Sequence, residues 1–248
     1  MKYMGSKARF AKELLPIILS EREDGQWYVE PFAGGMNMIS EVTGNRIAND
    51  NHPYLIKMWE ALVTGWTPQE YSRDEYYEVK SQMGTLPPHV VGWVGFNCSY
   101  SGKWFDGYAG KTQTKNGTIR DYQEEARKNV LAQVQNLHGV VFTNVSYDAM
   151  NIPPNSIIYC DPPYRGTRKY LSTIDHDHFW DWVRNLQKEG HKVFVSEYSA
   201  PDDFVCVWQK KTTSSISANS VNNGTTQSVE KLFTIIKGEK GENPTGGE

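Results

Sequence analysis

Two hydrophobic rhythms run along the chain. From Met4 to Ser20, Phe10, Leu14, Leu15 and Ile18 recur at helical spacing, which predicts an amphipathic helix kinked in its later turns by Pro16. Short apolar runs at Trp27–Glu30, Arg46–Ala48, Val140–Thr143, Ser156–Cys160 and Lys192–Ser196 predict strands. Phe204–Gln209 and Lys231–Ile236 predict two last strands around a loop rich in Ser and Asn. Helical patterns fill the gaps: PFAGGMNM opens one that runs to about Thr43, and Pro53–Thr64, Arg120–Leu137 and Asp177–Lys188 are three more. Thr67-Pro68-Gln69-Glu70 has the form of a capping box, which predicts a helix from Pro68 to about Gln82. From Gly84 to Thr118 the pattern dissolves into Gly, Pro, Asn, Ser and aromatics.

Strands alternating with helices imply an α/β fold with a mostly parallel sheet covered on both faces. Residues 66–118 form an insertion beside a domain made of 1–65 and 119–238, and 239–248 are a flexible tail. Ligands of such sheets bind beyond the carboxyl ends of the strands. PFAGGM, Asp50, the Tyr147-Asp148 turn and CDPPY all fall there.

Composition changes this picture little. The 248 residues are 38% hydrophobic and 22% charged, with a net charge of −3, which argues against a globally basic nucleic-acid coat but leaves room for a local basic cleft. No run of about 18 apolar residues is present, so no membrane span or membrane partner is expected. The N-terminus is broken by Lys7, Arg9, Lys12 and Glu13 and does not read as a signal peptide. Cys98, Cys160 and Cys206 are far apart and in no CxxC pair, which points to a reduced, intracellular chain without a zinc site.

Candidate chemistry concentrates in two stretches. Gly34 and Gly35 follow a strand, where missing side chains let a ligand approach the backbone; a tight turn and helix cap is the plainer alternative. Asp50 lies twenty residues beyond Glu30 at the next strand's end, about the spacing at which an acid grips a ribose diol. In CDPPY, two prolines fix the backbone so that Asp161 and the Pro162 carbonyl can both accept from one amino group, with Tyr164 as a flat wall beside it. Two fixed acceptors favour the pyramidal, nucleophilic form of an exocyclic base amine and stabilise the charge that develops on it.

YMGSK, YVEPFAGG, ANDN and CDPPY, in this order and spacing, resemble the Dam-type (D12 class, α-group) DNA adenine N6-methyltransferases. The likeness runs to about Gly238. It implies a Rossmann-like class I methyltransferase fold with a mostly parallel seven-stranded sheet and an inserted, mainly helical or irregular target-recognition domain. It also implies S-adenosyl-L-methionine as cofactor, S-adenosyl-L-homocysteine as product, no metal, and double-stranded DNA as partner; protein partners are left open. By the resemblance Tyr3, Lys7, Phe32, Gly34, Asp50, Asp148 and Asp161 contact the cofactor, Lys7 through the methionine carboxylate, Asp50 through the ribose and Asp148 near the adenine. Asp161, Pro162 and Tyr164 are its catalytic motif. Met36 stands where some members carry a third small residue in the glycine loop.

The segment Gly102–Arg120 carries Lys103, Lys111, Lys115 and Arg120 against Asp106, with Trp104, Phe105 and Tyr108 interleaved. Cations for phosphates and rings for unstacked bases suit a base-flipping enzyme, and Lys103, Trp104, Tyr108, Lys111, Lys115 and Arg120 are expected at the DNA. A solvated surface loop is the alternative. Arg165, Arg168 and Lys169 follow CDPPY and are placed to hold a flipped nucleotide's backbone, or else form a charged loop. His176-Asp177-His178 reads as a helix start rather than a metal site, Cys160 as strand packing, and Trp180 and Trp182 as core and rim. The expected activity is adenine N6 methylation of DNA with base flipping. Cytosine N4 or RNA amino methylation, and a silent DNA-binding protein on the same fold, are the competing readings.

Overall fold

The computed structural model describes residues 1–114, 116–164, 174–213 and 227–235. Its centre is a seven-stranded sheet built from β1 (Tyr28–Glu30), β2 (Arg46–Asn49), β5 (Val140–Thr143), β6 (Ile157–Cys160), β7 (Lys192–Glu197), β8 (Val205–Thr213) and β9 (Gln227–Thr234). Their order is β5-β2-β1-β6-β7-β9-β8, and β3 (Lys111–Gln113) and β4 (Ile119–Asp121) pair apart from it as a two-stranded antiparallel sheet. The first five are parallel, β9 is antiparallel to β7, and β8 is antiparallel to β9. β1, β2 and β6 are buried along their whole length, as strands covered on both faces must be. The mostly parallel sheet expected from the alternation is therefore present, with seven strands.

One face packs on α1 (Ala11–Ile18), α2 (Pro53–Val63), α4 (Pro88–Asn97) and α5 (Tyr122–Val134), and the other on α6 (His176–Lys188), where Phe179, Trp180, Val183 and Leu186 are buried. Trp182 is half-buried at its rim. Asp175 caps α6, accepting from the backbone N–H groups of Asp177 and His178.

Four local expectations fail. No α-helix follows PFAGG: Gly34 and Met36 take left-handed conformations (φ 47° and 57°), and the segment turns through a short 3-10 helix at Ile39–Glu41 instead. Met36 is wholly buried, so its bulk goes to the core. The helix expected from Pro68 is α3, Arg73–Ser81, capped by Ser72 and Glu75. Gln123 holds the backbone of Tyr71 from both sides, accepting from its N–H at 3.0 Å and donating to its carbonyl at 2.8 Å, which keeps that stretch extended. The irregular stretch contains α4, whose glycines are contact points: a Cβ at Gly92 would lie 2.1 Å from the Tyr54 carbonyl oxygen, and one at Gly95 would strike the Trp104 ring. The helix read from Met4 starts later, as a 3-10 turn at Ala8–Phe10 followed by α1, which contains Pro16. Trp93, Val94 and Phe105 share one buried cluster with the sheet residues Tyr28 and Tyr159. The proposed tail lies outside the described residues, as do residues 236–238.

Candidate active site

The chain leaves β1 towards β2 and β5 on one side, while β6 and β7 lie on the other. The crevice beyond the carboxyl ends of β1 and β6 is therefore the topological switch point of the sheet. Its two sides are the PFAGG loop and the DPPY loop. Asn49, at the end of β2, staples the edge: its side chain donates to the carbonyls of Pro31 and Val145 (3.0 Å each) and accepts from Thr143 and the Val145 N–H.

The PFAGG loop is closed by Asp50, which accepts from the N–H of Gly34 at 3.0 Å and of His52 at 2.9 Å. Burial nevertheless pushes its carboxyl up to about 6, against those two donors. Tyr3 lies on the loop so closely that a Cβ at Gly34 or Gly35 would come within 2.6 or 2.7 Å of it. The glycines thus make room for Tyr3, and backbone and ring form one wall. Phe32 packs on Tyr147 and Phe179, with centroids 5.3 and 5.8 Å away. Next to Tyr147, Asp148 accepts from Ser146 and from His178 Nε2 (2.9 Å), and these bonds hold its carboxyl below the ordinary range. His176 lies instead towards Glu197, so the two histidines of His176-Asp177-His178 face different acids.

Across the crevice sits a cluster of three charges. Lys7 Nζ is 2.9 Å from Asp161 Oδ1, 3.6 Å from Glu230 Oε2, and 4.5 Å from the centre of the Tyr164 ring. Tyr164 donates its hydroxyl to Glu230 Oε2 at 3.0 Å, and its ring meets the edge of Tyr198 at 4.6 Å. The Lys7 and Asp161 side chains are only 7% and 20% exposed. Burial opposes the charge on Lys7, but Asp161 and Glu230 outweigh it and hold the ammonium above its ordinary value. Burial also pushes the Asp161 carboxyl up, with Lys7 pulling it down and Glu230 adding to the rise. Pro162 is buried beside it. The side chain expected to meet a cofactor carboxylate is thus engaged by two protein carboxylates, and the tyrosine expected as an open wall is buried under an ammonium.

Sequence reasoning missed Glu230 and Glu30. Glu30, ending β1, accepts from the Tyr28 hydroxyl at 2.8 Å, and burial pushes it up to about 8. The signal for Glu230 was the alternation in SVEKLFT, where it shares the core-facing side of β9 with buried Leu232. Cys160 is fully buried strand packing, and its thiol is raised far above its ordinary range by burial. A groove of about 720 Å³ between α1 and α5 takes no lining from the motif loops, so we place the site at the sheet edge.

The basic segment has a different character. Lys103 pairs with Asp106 (3.1 Å), Lys111 with Glu70 (2.9 Å) and Asp121 (3.6 Å), and Arg120 with Glu125 through two bonds of 2.6 and 2.7 Å. Trp104 is half-buried against His52, Phe96 and Phe105 rather than displayed. Tyr108 donates its hydroxyl inward to the Tyr71 carbonyl at 2.9 Å. A cavity of about 550 Å³ beside YMGSK is lined by Lys2, Tyr3, Ser6, Tyr100, Arg120 and Tyr122. Lys115, Arg165, Arg168 and Lys169 lie outside the described residues.

The family model of the D12 class N6 adenine-specific DNA methyltransferase matches residues 3–87 and 89–231, taking in every loop of the crevice. The chain belongs to that family. This makes it a methyltransferase. Two solved structures named as putative methyltransferases are distantly similar. For yhhF from Escherichia coli the identity is 11% and the TM-score 0.35, covering 92% of this chain and 87% of that one. For SMU.472, complexed with SAH, the identity is 9% and the TM-score 0.39, covering 96% of this chain and 55% of that one. We build nothing on likenesses this distant. Among the described residues, no helix of this methyltransferase is long and apolar enough to cross a membrane.

Proposed function

We propose that this family member transfers a methyl group from S-adenosyl-L-methionine to N6 of adenine at specific sites in double-stranded DNA, releasing S-adenosyl-L-homocysteine, with the target base flipped out of the helix. The observation that carries this reading is the half-buried Asp161 carboxylate, held by Lys7 at the switch-point crevice in a chain of the D12 class.

The residues present fit the cofactor. Asp50, Asp148, Asp161 and Glu230 converge on an edge where the described site supplies Lys7 as counter-ion, an excess of acid suited to a cationic ligand. Tyr3, Phe32, Gly34, Asp50 and Asp148 would hold it, with Lys7 and Asp161 at its reactive end. When bound, S-adenosyl-L-methionine supplies an electrophilic methyl group on a sulfonium centre.

The chain's own work is positioning and electrostatics. Asp161 and the Pro162 carbonyl accept from the two hydrogens of the adenine amino group, which turns its lone pair out of conjugation and stabilises the positive charge that builds on nitrogen. Lys7, 2.9 Å away, pulls the Asp161 carboxyl down against the rise that burial causes. Tyr164 is assigned to the base, and stacking there requires its ring to be uncovered from Lys7. Extrusion costs a few kcal/mol. Lys103, Lys111 and Lys115 of the recognition region 66–118, Arg120 just past it, and Arg165 and Arg168 after DPPY are assigned to phosphates that offset it. Exposed pairs such as Arg120–Glu125 are weak enough for a phosphate to displace the acid. The setting is a compartment that contains DNA, the cytoplasm of a bacterial or phage-infected cell. Incubating unmodified genomic DNA with labelled cofactor and mapping modified bases by long-read sequencing tests this: label on adenine at one short sequence is expected. Label on cytosine, or none, contradicts it.

A further inference from the structure

We propose that Glu230 is a positioning residue for methyl transfer, anchoring the Tyr164 hydroxyl and holding Lys7 beside Asp161. This rests on the function proposed above.

One oxygen carries the case. Glu230 Oε2 accepts from the Tyr164 hydroxyl at 3.0 Å and faces the Lys7 ammonium at 3.6 Å, and that ammonium is 2.9 Å from Asp161 Oδ1. Lys7 also stands over the Tyr164 ring. The two functional side chains of DPPY are therefore tied through one lysine to one glutamate on a different strand. That strand is fixed by its ladders: Lys210 pairs with Glu230, and Gln209 and Glu197 both pair with Lys231. Because β9 runs antiparallel to β7, Glu230 comes to the carboxyl edge where β6 ends. Tyr164 closes the DPPY stretch, so holding its hydroxyl on a strand fixes the end of that loop. A carboxylate suits the place because one oxygen must accept from a hydroxyl and face an ammonium. The other titratable groups acting on Asp161 or acted on by it are Glu30 of β1, Tyr159 and Cys160 of β6, and Tyr164 of its own loop. Tyr198, after β7, faces Lys7 and Glu230.

Three variants of the full chain separate the parts. Glu230→Gln keeps an oxygen for Tyr164 and removes the charge facing Lys7, Glu230→Leu removes both, and Tyr164→Phe removes the hydroxyl alone. Glu230→Leu is expected to lower kcat roughly 100-fold, the scale of a misplaced reacting group. KM for the cofactor, and the calorimetric affinity for S-adenosyl-L-homocysteine, are expected to stay within about threefold. Glu230→Gln should lose less. The Glu230→Leu/Tyr164→Phe double variant should be no slower than Glu230→Leu, since both act through one bond. The acid limb of kcat should move to lower pH in Glu230→Gln, because a negative neighbour of Asp161 is gone; a merely structural role would leave it in place. Unchanged kcat in both Glu230 variants, additive losses in the double variant, or an unmoved acid limb would each overturn the proposal. Should Glu230→Leu not fold, Glu230→Gln and Tyr164→Phe decide by the same criteria. A wild type without methyl transfer defeats the function and this inference together, whereas an active wild type indifferent to Glu230 defeats this inference alone.

Discussion

The carboxyl edge of the sheet and the basic segment 103–120 hold their charges in opposite ways. At the edge, Lys7 is buried between Asp161 and Glu230, and each charge depends on the others to stay in a dry place. In the segment, Lys111 and Arg120 are exposed and paired with exposed acids at their own surface. Buried pairs are rigid and fail together, while surface pairs are weak and exchangeable. The contrast suits a division of labour in which the edge fixes one amino group and the segment trades its acids for phosphates.

The largest effect that would break this contrast is on stability. Lys7→Met leaves buried Glu230 and half-buried Asp161 without their counter-ion and is expected to cost about 3 kcal/mol. Arg120→Ala should leave the melting temperature where it was. Thermal unfolding of both variants checks this, and equal shifts would erase the distinction.

Second comes the pH response of the edge. Burial holds the Glu30 proton on up to about 8, against an ordinary value of 4.5. The folded chain keeps a proton that the unfolded chain releases, so this contribution is complete below about 4.5 and is lost as pH rises through about 8. In that window it removes roughly 1.4 kcal/mol per pH unit. Stability against unfolding, measured between about pH 5 and 8, should therefore fall with pH in the wild type and be flatter in Glu30→Gln. Parallel curves would show that Glu30 titrates as an ordinary acid.

The smallest effect belongs to the segment. Glu125→Gln releases Arg120 from its partner and should tighten DNA binding a few-fold, with a salt dependence steeper by up to about one unit of log–log slope. Fluorescence anisotropy over a salt series reads both quantities. Unchanged or weaker binding would take Arg120 off the DNA surface.

The same two regions differ in how far the sequence discloses them. The strands of the sheet were legible because fully buried strands are written as short apolar runs, and β2 and β6 were found within a residue. The motif residues Asp50, Asp148 and Asp161 were legible because strand ends deliver them to one edge. What the sequence hid was tertiary. Gly92 and Gly95 looked like loop, although they let α4 approach Tyr54 and Trp104. Thr67-Pro68-Gln69-Glu70 read as the cap, whereas the structure uses Ser72 and Glu75, just after the Tyr71 backbone that Gln123, far along the chain, holds from both sides. The left-handed turn at Gly34 and Met36 replaced an expected helix. Glu230 lies 69 residues after Asp161 on an antiparallel strand, so only the folded sheet brings the two to the same lysine. The cations of the segment were visible as a count, but their partners Glu70 and Glu125 were not.

Asp161→Ala tests the account most directly. Nucleoside mass spectrometry of DNA incubated with cofactor and either protein should find N6-methyladenine with the wild type and a loss of roughly 1,000-fold with the variant, on the scale of removing a fixed electrostatic contact. Circular dichroism should find the same folded signature in both. A folded Asp161→Ala protein that still produces N6-methyladenine at near the wild-type rate would contradict the account.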